Sequence, residues 1–100
     1  MSVRVSPRRG GRKTTFVISF TAPSSARYTV DIAGPRSSRC DLTRIGPGHR
    51  YKKGMRVRIK IYPDIRGWCR GRYRVTVDEV AGPSLDERFV VGKRVGFRVR

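Results

Sequence analysis

The chain is poor in every group that catalysis and metal binding rely on. It has one histidine, His49, and seven acidic residues in 100 positions. A Ser-His-Asp arrangement would have to recruit that one imidazole from a glycine-rich stretch, and no G-x-S-x-G is present. Asp78 and Glu79 are adjacent in a strand-like segment, so they point to opposite faces and do not pair across a substrate. Asp86 and Glu87 fall in a turn, where they read as solubilising. The two cysteines, Cys40 and Cys69, form no C-x-x-C pair, so thioredoxin chemistry and a four-ligand zinc site both lack their parts. No apolar run approaches the ~18 residues of a membrane span, and the opening "MSVRVSPRRGGRK" has charge but no apolar core, unlike a signal peptide. The expectation is a non-enzymatic chain without catalytic residues, metal, cofactor or small-molecule substrate.

What the chain holds instead is positive charge. Against the seven acids stand 24 lysines and arginines, a net charge of +17. Such an excess repels itself in the folded state and makes polyanions the natural partners: nucleic acid, an anionic wall polymer or an anionic membrane surface. The length is that of one domain spanning 1–100, with an Arg/Gly-rich start, Arg8 to Lys13, that is free to fray.

Apolar residues alternate with polar ones at period two, the pattern of half-buried strands. Phe16, Ile18 and Phe20 share one face in "TTFVISFTA", and Tyr28, Val30 and Ile32 share one in "RYTVDIAG". Val57, Ile59 and Ile61 alternate with Arg56, Arg58 and Lys60 until Pro63, which cannot donate to a ladder, stops the run. Tyr73, Val75 and Val77 follow, then a long last segment in which Gly92 marks a bulge and Val95, Phe97 and Val99 alternate with arginines. A short strand at Val3 to Val5 and a weak one around Cys40 to Thr43 complete seven. Without helical periodicity anywhere, the pattern predicts an all-β sandwich or barrel.

The stretches "VSPRRGGRKTTFVISFTAP" and "GMRVRIKIYPDIRGWCRGRYRVTV", with Gly96-Phe97 near the end, resemble immunoglobulin-like or fibronectin III-like domains of bacterial secreted and cell-surface proteins. The resemblance covers nearly the whole chain and implies a seven-stranded antiparallel sandwich with an adhesive, spacing or binding role, outside the cell. In that strand order Cys40 follows the third strand and Cys69 precedes the sixth, at the same end of the sandwich. A Cys40 to Cys69 disulfide is therefore expected, worth about 3.6 kcal/mol for a loop of about 30 residues; the other reading is two buried thiols in a reducing cytoplasm. Trp68 is expected to cover the bridge or cap that end of the core, with Tyr73 as a corner tyrosine.

Function then rests on the arginines. In the last two strands Arg72, Arg74, Arg94, Arg98 and Arg100 point outward together, with Arg27 at their edge, and Arg56, Arg58 and Lys60 form a smaller stripe on the opposite sheet. "GPGHRYKKG" adds Arg50, Lys52 and Lys53 as phosphate contacts, with Tyr51 as a stacking platform. The first expectation is an immunoglobulin-like binding module whose basic face meets a polyanion or another protein. The alternative is a cytoplasmic basic β-domain that contacts nucleic-acid phosphates without sequence specificity.

Overall fold

Period-two alternation gives each strand one apolar face, and in this chain two sheets bury those faces against each other. The computed structural model describes residues 1–35, 49–81 and 88–100 in full and residues 43–45 as backbone. Among them the strands are β1 (Val3–Ser6), β2 (Arg9–Gly10), β3 (Phe16–Thr21), β4 (Ala26–Ala33), β5 (Thr43–Ile45), β6 (His49–Tyr51), β7 (Arg56–Ile61), β8 (Gly71–Val80) and β9 (Arg88–Val99). One sheet has the order β1-β3-β7, and the other β2-β9-β8-β4-β5, with β6 also paired to β4. No helix among the described residues is long and apolar enough to cross a membrane.

Two strands exceed the seven expected, and each has a local cause. Pro7 has no N–H with which to extend the β1 ladder; the chain passes through a cis Ser6-Pro7 bond and crosses to the other sheet. There β2 runs parallel to β9, so the sandwich is not purely antiparallel. Hydrogen bonds from Arg98 N to Arg8 O (2.8 Å) and Arg100 N to Gly10 O (2.9 Å) hold the segment where composition suggested fraying. The second addition, β6, pairs antiparallel with the start of β4. Tyr51 drives that pairing by packing its ring near Phe20 and Tyr28, at centroid distances of 6.3 and 6.4 Å.

The core follows the alternation, with Ile59 and Val95 only partly buried and Trp68 and Ala22 added from outside the strands. Phe16, Ile18 and Phe20 from β3 meet Tyr73, Val75 and Val77 from β8 and Phe97 and Val99 from β9, all buried. At one end four aromatics close the sandwich. Phe97 stacks between Phe16 (4.0 Å) and Tyr73 (4.8 Å), and Trp68 meets all three edge-on at 5.3 to 5.8 Å. The Trp68 Nε1–H donates to Thr14 O at 2.7 Å, so the indole's polar end is satisfied. Tyr73 is the expected corner: its hydroxyl donates to Cys69 O (3.1 Å) and accepts from Cys69 N (2.9 Å). Tyr28 repeats the device at the opposite end, donating to Ser24 O at 2.8 Å. Of the expected disulfide, Cys69 lies at the Trp68 end, and Cys40 lies outside the described residues.

The bulge falls where Gly92 predicts it. Val75 pairs with Val95 but Val77 with Val91, so one β8 residue faces three on β9. Gly92 supplies the left-handed φ of 77° that the detour needs.

Candidate functional site

Residues in register on neighbouring strands put their side chains on the same face, about 4.5 to 5.5 Å apart at Cα. Arg9 is in register with Arg98, and Arg98 with Arg72. Three arginines thus stand side by side across β2, β9 and β8, all exposed. On the next outward row Arg74 lies opposite Gly96, where a Cβ would meet Tyr73 O at 2.6 Å. The bulge turns Arg94 to the same place, and an open groove of ≈ 980 Å³ is lined by Arg8, Arg9, Arg72, Arg74, Arg94 and Arg98, with Gly34, Pro35 and Gly96 between them. A second, smaller groove continues from it along Arg9, Arg98, Arg70 and Arg100.

Like charges directly opposite on a sheet destabilise it, and carboxylates normally relieve this. Here the described carboxylates are committed elsewhere. Asp31 and Asp78 face Arg88 at 3.1 and 3.7 Å. Glu79 Oε1 accepts from Ser24 Oγ at 2.7 Å, and Asp64 Oδ1 accepts from the Arg66 N–H at 2.8 Å. Among the described residues, then, no acid is paired with the arginine row. The row is a local conflict in an otherwise consistent fold, a kind that proteins carry at functional or strained sites. Tyr73 and Phe97 also line the groove, but each is only 3% exposed, with its ring in the core, so neither presents a ring face to a ligand there. The surface offers forked guanidinium donors and no base-stacking platform among the described residues, which suits the oxygens of phosphate or carboxylate groups.

The sequence reading placed Arg72, Arg74, Arg94, Arg98 and Arg100 together, and the structure does bring them to one continuous face. It missed Arg8 and Arg9, because their position depends on the parallel β2–β9 pairing across some 90 residues. Arg27, expected at the edge of this face, lies instead opposite Val80 at the far end of β4. Arg50 pairs with Arg27 there, and Lys53 N donates to Ser25 Oγ at 2.9 Å. Arg50, Lys52 and Lys53 are thus about 25 Å from the row at 3.3 Å per strand residue and do not belong to it. Tyr51 is packed on the core rather than presented as a platform. On the opposite sheet Arg56, Arg58 and Lys60 are exposed, as their alternation predicts.

The outward face of the larger sheet has another character beyond Thr76. Asp78 is buried there beside Thr29, and Asp78 Oδ1 and Thr29 Oγ1 have no hydrogen-bond partner among the described residues. Burial, and next the Asp78 carboxylate, raise the Asp31 carboxyl above its ordinary value of 3.8, with Arg88 pulling the other way. The folded state therefore holds this proton more tightly than the unfolded chain. Its contribution to stability is greatest at low pH and declines as pH rises from 3.8 through the folded value. Replacing Asp31 with Asn removes that decline, so the thermal midpoint of the variant relative to wild type rises over this window. A constant difference between the two midpoints across pH 3.8 and above would remove the assignment.

No family model matches this chain, and no curated protein matches it. Among solved structures it is similar to the alkylpurine DNA glycosylase AlkC of Pseudomonas fluorescens, bound to DNA containing an abasic site analog. The match has a TM-score of 0.57 and 19% identity, and covers 99% of this chain and 29% of that one. At that identity the likeness is one of fold, and this chain spans less than a third of the length of the protein it matches.

Proposed function

We propose that this chain is an immunoglobulin-like β-sandwich, without enzymatic activity of its own, that binds nucleic acid through its phosphates and without sequence readout. The observation that carries the reading is the arginine row Arg9–Arg98–Arg72, stacked like charge on like charge with no described carboxylate beside it. The immunoglobulin-like part is supported by the sheet orders, by the N-terminal strand that switches sheets and by the Tyr73 corner. The nucleic-acid part is further supported by the DNA-bound state of the glycosylase, to 29% of whose chain this fold is similar. An anionic wall polymer outside the cell would meet the same guanidinium groups, which pair with phosphate and carboxylate alike; the DNA-bound state of the fold neighbour favours nucleic acid.

The test is binding to random-sequence duplex DNA followed by anisotropy across a salt series. With about five phosphate contacts, log K falls linearly against log salt with a slope of about −4.5, and dissociation constants lie near micromolar at physiological salt. Shuffling the sequence leaves this salt slope unchanged. Loss of all binding by physiological salt, or tighter binding to teichoic-acid polymer than to DNA at the same salt, would overturn the reading.

A further inference from the structure

Between β7 and β8 the chain makes a tight loop, and at its tip Ile65 is 95% exposed. An isolated exposed isoleucine is ordinarily unremarkable, but this one is held in place by cations. Lys13 Nζ donates to Ile65 O at 2.6 Å, and Arg12 Nη2 donates to Arg66 O at 2.9 Å. Gly67 N closes the turn onto Asp64 O (3.0 Å), and Trp68 N ties it to Arg12 O (2.8 Å). Gly67 sits at φ 82°, and a Cβ there would meet Arg12 O at 2.7 Å, so the close approach of the two loops requires glycine. The tip is thus ordered before any ligand arrives, and holding it in position costs little further entropy on binding.

Its place is as informative as its rigidity. The arginine stripe leads from Arg74 and Arg72 through Arg98 and Arg9 to Arg70 and Arg100. Arg70 follows Trp68 by two residues, and Arg12 follows β2 by two, so the stripe runs into the base of the Ile65 loop. Ile65 is flanked by exposed Asp64 and Arg66, and together with Tyr62 it supplies the exposed large apolar side chains of this loop. Two side chains fall short of the several hundred Å² of apolar surface that mark a protein-docking patch. One branched aliphatic group projecting beside Arg12, Lys13 and Arg66, with Asp64 turned onto the Arg66 N–H, has the size and setting of a wedge between stacked bases.

We infer that Ile65 is such a wedge: while the arginine row holds the phosphates of duplex DNA, Ile65 enters the groove and partly unstacks a base step. The inference rests on the proposed phosphate binding and deepens it. Flexible pyrimidine–purine steps are where the entry is easiest.

The experiment uses the full chain, wild type and Ile65→Ala, with duplexes carrying the fluorescent adenine analogue 2-aminopurine at TA steps. Anisotropy in a salt series reads phosphate binding, and 2-aminopurine emission reads unstacking. Wild-type binding should raise the emission severalfold. Ile65→Ala should keep the wild-type thermal midpoint and salt slope, bind about fivefold to tenfold more weakly, and leave the emission near that of free duplex. Salt-dependent binding by wild type with no rise in emission, or an equal rise with Ile65→Ala, overturns the wedge and leaves phosphate binding standing. No salt-dependent binding by either protein overturns both. Ile65-dependent binding to phosphatidylglycerol vesicles without duplex binding overturns the wedge in favour of a membrane surface.

Discussion

Replacing Arg9, Arg72 and Arg98 together with alanine is expected to weaken duplex binding about a hundredfold at 0.15 M salt and to flatten the salt slope by about 2.7. Each phosphate contact releases condensed counterions worth about 0.9 in slope, and three of them amount to roughly two decades of affinity at that salt. The variant should lose no stability, because it removes like charges that face one another across β2, β9 and β8. A thermal midpoint equal to or above that of wild type, with binding lost, separates a functional row from a structural one. A triple alanine variant of Arg50, Lys52 and Lys53, at the other end of the molecule, provides the comparison. If its loss matched that of the row, binding would be a property of net charge alone.

The second large effect concerns stability. Trp68→Ala removes a ring that is 3% exposed and that touches Phe16, Tyr73 and Phe97. It also takes from Thr14 O the indole N–H that it accepts. Truncating a buried tryptophan costs about 3–5 kcal/mol, a large share of the 5–15 kcal/mol typical of a whole domain. Urea unfolding should show this as a lower midpoint with an unchanged slope. Trp68→Phe keeps most of the apolar contact and should lose about half as much. A loss below about 1 kcal/mol for Trp68→Ala would mean that the end of the sandwich is closed by other groups.

The β-sandwich was legible because alternation is a local signal. Phe16, Ile18 and Phe20, or Tyr73, Val75 and Val77, declare their inward face within a few residues, and Gly92 marks its bulge by itself. Tyr73 and Trp68 were legible as end-closing groups only through the strand order that the immunoglobulin-like resemblance implies. What escaped was anything fixed by pairing between distant segments. Nothing near Arg9 says that it will stand beside Arg98, since a two-residue strand has no periodicity and its parallel partner lies at the other end of the chain. The same limit explains Arg27 and the Arg50 to Lys53 segment. Their charge was visible, but the end of the sandwich they occupy follows from the direction of β4 and from Tyr51 docking on the core. Ile65 carries no signal in sequence, because its role depends on being held out into solvent by Lys13 and Arg12, more than fifty residues away.

The two-residue strand β2 has a consequence for how binding and folding are joined. Arg9 reaches the row only while β2 lies on β9, held by the Arg98–Arg8 and Arg100–Gly10 hydrogen bonds. Detachment of so short a strand is among the least costly openings of the domain, and it takes one guanidinium out of the site each time it occurs. A polyanion that needs all three arginines therefore acts as a clasp on the first ten residues. It draws the population toward the attached state by mass action, and in doing so it keeps the end of β9 covered against pairing with another chain.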